Sequence, residues 1–211
     1  IRAFSSFSQL KMNYLDSSYL NEAGFLQSNY VNSIGQLGVN SRFRLKERLY
    51  LFAGLEQQFS MLVSTVSGID HAKRAHTFGV MGFSYYSNNF TITSQLSGQS
   101  IRDINANISR SPINKLNPFV QLESKELGKK SKFQFTFFYR NSFRMPSFSE
   151  LYYNSIGNDD LKPERANQFS FGKTLSIRNA KSQFVNRTNV YYNQVQDKIV
   201  AIPTKNLFVW S

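Results

Sequence analysis

The chain has 211 residues, of which 15% are aromatic and only 18% charged, and it contains no cysteine. Soluble domains carry about a quarter charged residues, so the charged fraction here is low. No apolar run approaches the roughly 18 residues of a membrane-spanning helix, which excludes transmembrane helices. The lack of cysteine excludes a disulfide framework. The net charge of +12 is spread over strands, turns and loops without a basic helix, which favours a solvated surface or a lumen lining over a nucleic-acid patch.

Apolar and polar residues alternate with a period of two along most of the chain, and helical spacing fits no segment of useful length. Leu37, Val39 and Phe43 share one face, for example, whereas Asn40 and Arg42 share the other. The alternation predicts about nine strands, at residues 2–15, 33–45, 48–62, 76–87, 90–101, 117–127, 132–143, 166–177 and 182–194. Residues 1–4 and 208–210 are also typical of strand interiors, so we expect the chain to be a piece of a longer protein.

The predicted connections alternate in length. Short connections at 46–47, 88–89, 128–131 and 178–181 are followed by long ones at 16–32, 63–75, 102–116 and 144–165. This places the tight turns at one end of the sheet and the long loops at the other, which is typical of outer-membrane barrels. A soluble β-sandwich binding module is the alternative, because a second sheet would also bury the apolar face.

A single partial barrel domain over residues 1–211 is therefore predicted: an all-β, antiparallel, up-and-down meander that forms an arc of a larger transmembrane barrel. Nine is an odd number of strands, whereas single-chain bacterial barrels have an even number. The predicted polar face also carries bulky charged side chains, which need a wider cylinder than eight strands provide; they are Arg42, Glu56, Arg140 and Arg187.

One segment, residues 138–171, has a specific pattern. Pro146 lacks an N–H and can end a strand, and Ser147 precedes Glu150 by the spacing of a capping box, which allows a helical turn over residues 149–152. A glycine turn follows, and Pro163 marks entry into the next strand. The residues that carry the pattern are Phe143, Arg144, Pro146, Glu150, Leu151, Tyr152, Gly157, Asn158, Leu161, Lys162, Pro163 and Glu164.

This pattern resembles the barrel of TonB-dependent receptors. The resemblance implies a barrel of about 22 strands in the outer membrane of a Gram-negative bacterium, with no enzymatic activity. It implies energy-coupled uptake of a scarce ligand of the siderophore-iron, cobalamin or glycan class. The implied partners are outer-membrane lipid, a small-molecule, metal-chelate or glycan ligand, and a TonB-type energy-transducing protein acting through a plug domain; no nucleic acid is expected. The plug, the TonB box and the last strands are not recognised in these residues.

The ligand-contact candidates are Arg144, Tyr152, Tyr153, Asp159 and Asp160, which lie in the long loop of the motif. The alternative is that they only shape this loop. Adjacent Asp residues in a glycine-asparagine turn are usually solvated, and the loop aromatics are more typical of a membrane-interface girdle than of a ligand stack; those aromatics are Tyr19, Phe25, Tyr30, Phe148, Tyr152 and Tyr153.

No cofactor, metal site or catalytic residue is predicted. His71 and His76 lie in a predicted loop without a nearby cysteine, and two such histidines are usually ordinary surface residues. Haem receptors of the resembling family carry a histidine between the two halves of the motif, and residues 144–161 contain none. Nucleophile-elbow, zinc-protease and nucleotide-binding motifs are also absent from the sequence.

Overall fold

The structure is a computed structural model, and it describes residues 1–16, 25–65, 71–105, 111–128, 131–154, 156–178, 182–203 and 208–211. Nine long strands pair in chain order in one antiparallel sheet, and two short strands pair separately. The elements are β1 (Arg2–Asp16), β2 (Leu26–Lys46), β3 (Leu49–Ser64), β4 (His71–Tyr86), β5 (Phe90–Asn105), β6 (Ile113–Ser124), β7 (Ser131–Arg144), α1 (Phe148–Tyr152), β8 (Glu164–Arg178), β9 (Gln183–Gln196), β10 (Ala201–Pro203) and β11 (Phe208–Trp210).

The register gives the sheet two unlike faces. Arg42, Glu56, Arg140 and Arg187 fall on the same side of the sheet, which we call the polar face. The other side, the apolar face, presents large side chains to solvent; examples are Leu37, Phe43, Leu55, Phe59, Met81, Leu96, Leu116, Phe137 and Phe171. The predicted alternation of the second, fifth and seventh strands is confirmed.

The predicted β-sandwich alternative is wrong. All nine long strands belong to one sheet whose order follows the chain, so no second sheet of long strands packs against the apolar face in the described ranges. Leu55 and Phe59 are 55% and 57% exposed. The apolar face is thus an outer surface rather than half of a sandwich core.

Four strands are longer at one end than the alternation predicted. β2 begins at Leu26 instead of residue 33, β4 at His71 instead of 76, and β6 at Ile113 instead of 117, while β5 continues to Asn105 instead of stopping at 101. These extensions mix apolar and polar residues on both faces, so they lack the period-two apolar signal of a strand, but they pair regularly with their neighbours. Tyr30 lies opposite Ser64, for example.

The alternation of short and long connections is retained but weaker. We call the end of the sheet with connections 47–48, 87–89, 125–130 and 179–182 the turn end, and the end with 17–25, 65–70, 106–112 and 145–163 the loop end. Gly128 in one turn has a φ of 99°, a backbone conformation that glycine adopts without strain. Because the strand extensions shorten the loops, residues 145–163 are the longest connection between the long strands that the structure describes.

None of the helices in the described parts of the chain is long and apolar enough to cross a membrane.

The main buried cluster lies on the polar face near the loop end. Tyr30 of β2, Leu62 of β3 and Ala72 of β4 occupy paired or neighbouring positions and are at most 2% exposed. They are packed by residues from the long connection and from beyond β9, namely Phe148, Leu151, Tyr152, Leu161 and Ile199. The segment with the specific sequence pattern therefore folds back over strands far from its own place in the sheet.

Candidate functional site

The long connection between β7 and β8, residues 145–163, is called the motif loop. β7 ends at Arg144 and Pro146 is fully buried. Ser147 is the N-cap of α1: its side chain accepts from the Glu150 amide, while the Glu150 carboxylate accepts from the Ser147 amide. The predicted capping box and helical turn are confirmed, although the helix starts at Phe148 instead of residue 149. The buried side chains of α1 pack against the polar face.

A guanidinium on β4 holds the start of the motif loop against the sheet. Arg74 donates two hydrogen bonds to the Asp103 carboxylate on β5, at 2.6 and 2.7 Å, and one to the Pro146 carbonyl at 2.7 Å. Its guanidinium carbon also lies 5.0 Å from the centre of the Phe148 ring. The Arg74 and Asp103 side chains are only 11% and 4% exposed, so the pair is well shielded from water and salt.

A second charged group links the two strands that flank the motif loop. Arg144 at the end of β7 contacts Glu150 at 2.9 Å and Glu164 at the start of β8 at 3.6 Å. Glu164 also accepts from the Ile199 amide. Burial favours a raised pKa for the Glu150 carboxyl, but hydrogen bonds from Ser147 and Arg144 outweigh it, so the pKa of Glu150 lies below its ordinary value. Glu150 is therefore ionised at neutral pH.

The second half of the motif loop is anchored on β2. The Tyr153 ring stacks on Tyr30 with centroids 4.1 Å apart, and the Tyr30 hydroxyl accepts from the Asn154 amide at 2.7 Å. A Cβ on Gly157 would lie 2.8 Å from backbone atoms of Leu151 and Tyr153, so the loop can close this tightly only with glycine. Burial, followed by the neighbouring Tyr30, raises the pKa of Tyr153.

The short strand β11 completes the cluster. The Trp210 amide donates to the Ile156 carbonyl at 3.0 Å, and the Asn158 side chain donates to the Trp210 carbonyl at 3.0 Å. The motif loop thus contacts β2, β4 and β11 in addition to its flanking strands.

The predicted ligand-contact residues fall into two groups. Tyr152 is 4% exposed in the core cluster and Tyr153 is half-buried against Tyr30. Arg144 keeps 45% of its side chain exposed, and Asp159 and Asp160 lie exposed in the turn after Asn158, whose side chain accepts from the Asp160 amide. The exposed surface of the motif loop is therefore formed by charged residues, and its tyrosines face inward.

Most of the other pattern residues have contacts that shape the loop. Pro146, Glu150, Leu151 and Leu161 are buried, and Gly157 and Asn158 form the tight turn. Phe143 lies on the apolar face, Pro163 is half-buried, and Lys162 is exposed. The membrane-girdle interpretation is wrong for Tyr30, Phe148 and Tyr152, because these rings are buried on the polar face. Tyr19 lies outside the described residues.

The two histidines lie in β4 rather than in a loop. His71 is on the apolar face and His76 on the polar face, where its ring lies 3.1 Å from the Gln99 side chain. Opposite faces prevent them from sharing an ion. Across the described ranges, no group of three or more His, Cys, Asp or Glu residues is arranged to hold a metal.

Sequence reasoning missed Arg74 and Asp103 and treated Tyr30 only as a loop aromatic, because all three lie in stretches predicted to be loops. A signal was available for two of them. Ala72, Arg74 and His76 continue the polar-face parity of β4, and Asp103 continues that of β5 beyond Ile101. Extending the period-two register through polar residues would have placed the pair side by side.

Comparisons with known proteins agree with this geometry. Residues 130–210 match the family model described as TonB dependent receptor-like, beta-barrel. No curated protein matches the sequence. Among solved structures, the chain is similar to the copper transporter OprC, with a TM-score of 0.66 at 14% identity over 99% of this chain and 37% of that chain.

A second solved structure is a double mutant of the Serratia marcescens hemophore receptor HasR in complex with its hemophore HasA and heme. The TM-score is 0.65 at 15% identity, over 97% of this chain and 39% of that chain. Identities this low show the fold alone, and this chain spans less than two fifths of either protein's length. The match assigns residues 130–210 to the TonB dependent receptor-like β-barrel family, and the two solved structures share the fold of the whole sheet.

Proposed function

We propose that this chain forms part of the wall and the extracellular loops of an outer-membrane receptor that imports a scarce ligand by energy coupling, and that it performs no bond chemistry. The family match and the barrel fold support this proposal. In the complete protein, a TonB-type partner would supply the energy through a plug domain. The long loops would face the outside of a Gram-negative cell, as in other barrels of this class.

The observation that carries the proposal is the exposed apolar face. Large aliphatic and aromatic side chains dominate one side of β2, β3, β5, β6, β7 and β8, and the side chains between them, on the other face, are mostly polar. Exposing so much apolar surface to water is unfavourable, whereas contact with lipid acyl chains is favourable. A closed sheet can also pair every backbone group within the hydrocarbon.

Spin labels can test the membrane assignment, because the chain has no native cysteine. Single cysteines at Leu55 and Phe59 on the apolar face are compared with matched neighbours at Glu56 and Gln58 on the polar face. We expect labels at 55 and 59 to collide with oxygen dissolved in the bilayer and to be protected from a water-soluble nickel complex. Equal accessibility at 55 and 56 would contradict the proposal.

We further propose that three exposed charges, Arg144 at the end of β7 and Asp159 and Asp160 in the motif loop, contact the ligand, with Tyr153 at the edge of the site and the buried Tyr152 supporting the loop. The ligand would be a siderophore-iron complex, a cobalamin or a glycan. OprC is named a copper transporter and HasR a hemophore receptor, so barrels with this fold serve more than one cargo.

An uptake assay tests the ligand assignment. Cells that depend on the complete receptor are offered a radiolabelled ferric siderophore, cobalamin or oligosaccharide, and the double variant D159N/D160N is compared with E47Q/E126Q, which removes the same charge near the turn end. We expect uptake of one ligand class to require the proton-motive force and to fall only in D159N/D160N. Uptake that persists without the proton-motive force would contradict energy coupling.

A further inference from the structure

A groove on the apolar face near the loop end combines open space with positive charge. It has a volume of about 490 Å³. Small residues of β2 and β4 form its floor, namely Ser33, Gly35 and Ala75, and large residues form its walls, including Phe7, Phe59 and Met61. We call it the outer groove.

The open space of the outer groove depends on Gly35. A Cβ built on Gly35 meets no atom within 4 Å, so close packing of the sheet does not require a glycine there. Gly35 lies between Phe7 and Phe59 in the register, and a larger residue would fill the space between their rings. The groove is therefore a surface feature that can be closed without disturbing the strands.

The outer groove lies where the apolar surface ends. On the apolar face of β4, the residues from the turn end to the loop end are Tyr85, Phe83, Met81, Gly79, Thr77, Ala75, Lys73 and His71. The ten steps along the strand from Tyr85 to Ala75 rise about 25 Å in a strand tilted as barrel strands are, which is the height of the apolar band of such barrels. Lys73 lines the groove one step beyond that band.

A second cation lies diagonally across from Lys73 on the neighbouring strand. Arg102 of β5 is directly opposite Ala75, so Lys73 and Arg102 are diagonal neighbours on one face, about 7–8 Å apart at the backbone and within reach of one anion. Both side chains are exposed. Among the strand residues that the structure describes, the apolar face carries no Asp or Glu.

We propose that the outer groove binds an anionic, phosphate-bearing lipid of the membrane leaflet next to the long loops, with an acyl chain between Phe7 and Phe59 over Gly35 and the phosphate at Lys73 and Arg102. The proposal rests on the proposed function, because it needs the apolar face to lie in a membrane. It also gives a role to Lys73 and Arg102, two basic residues outside the motif loop that contribute to the net charge of +12. Basic residues at this depth attract anionic headgroups.

Native mass spectrometry of the complete receptor, released from nanodiscs of equal parts dimyristoyl phosphatidylglycerol and dimyristoyl phosphatidylcholine, tests the assignment. We expect the phosphatidylglycerol to be retained preferentially. Each of K73Q and R102Q should reduce this preference about fivefold and the double variant about thirtyfold, as expected for the loss of one or two cations near a lipid surface. G35L should reduce the retention of both lipids at this site.

Matched variants separate this site from general charge or packing effects. R165Q removes an exposed arginine at the apolar-face register of β8, and G79L places the same leucine on β4 outside the groove. We expect R165Q to leave the lipid preference unchanged and G79L to leave the retention of both lipids unchanged. Equal loss in R165Q and R102Q, or equal retention of the two lipids by the unmodified receptor, would overturn the proposal.

Two other occupants give different results. If the groove bound free phosphate, added inorganic phosphate would displace the bound lipid. If it bound a second copy of the chain, G35L would convert dimers to monomers. Either result overturns the lipid assignment. If the lipid preference is absent but the label at Leu55 still reports bilayer contact, only this inference is overturned. Loss of bilayer contact at Leu55 overturns the proposed function.

Discussion

At the scale of single residues, Arg74 joins three parts of the molecule through one guanidinium. It pairs with Asp103 on the neighbouring strand, donates to the Pro146 carbonyl in the motif loop and covers the Phe148 ring. The pair is almost removed from water, so its attraction is little screened. The same burial makes the loss of one partner costly, because the other charge is then left uncompensated.

D103N should therefore destabilise the loop end of the receptor by about 3 kcal/mol, the scale for breaking a buried ion pair. Urea unfolding of the receptor in detergent measures the change, and hydrogen exchange over residues 146–152 shows whether α1 is released. The double variant R74M/D103L, which replaces both charges with apolar groups, should lose less. A cost for D103N within experimental error of zero would show that Arg74 does not depend on this partner.

Glu150 makes the docking of α1 sensitive to acid. Because its folded pKa is below the ordinary value, its contribution is present above the unfolded pKa of about 4.3 and is lost as the pH falls through the folded pKa. We expect exchange protection of α1, corrected for intrinsic rates, to decline below about pH 4. E150Q should remove this pH dependence and E126Q should retain it; an unchanged pH profile in E150Q would assign the effect elsewhere.

At the scale of elements, the motif loop is a short helix and a tight turn closed by Gly157. G157A should destabilise the loop by about 1–3 kcal/mol, as overpacking does, because the new Cβ would meet backbone atoms of Leu151 and Tyr153. Hydrogen exchange of residues 147–161 provides the measurement. G35A is the matched control, since its Cβ enters open space, and equal effects of the two substitutions would contradict the packing of the loop.

The sequence predicts local features of these elements better than their ends. The faces of β7 follow from alternation alone, and α1 follows from the spacing of Ser147 and Glu150. The starts of β2 and β4 were missed because these ends lack a regular alternation of apolar and polar residues, although each pairs with its neighbouring strands. The stacking of Tyr153 on Tyr30 joins distant parts of the chain, and one sequence gives no signal for it.

At the scale of the whole molecule, the depth of the apolar band sets the cost of charge on the apolar face. L55R, near the middle of the band, should destabilise the receptor by about 2–4 kcal/mol, whereas V63R on the same strand, beyond its edge, should cost about 0–1 kcal/mol. Unfolding in lipid vesicles distinguishes the two variants. Equal costs at both positions would mean that the band does not lie across the hydrocarbon.

The bond from the Asn154 amide to the Tyr30 hydroxyl joins residues 124 positions apart, and this separation bears on the order of folding. Contacts that close long stretches of chain carry a large entropic cost until the intervening structure is in place. The hairpins β2–β3 and β4–β5 can form from neighbouring residues, whereas the motif loop needs β2, β4 and β8 already assembled. Docking of the motif loop therefore belongs to a late step of folding, and a protected Asn154 amide would mark its completion.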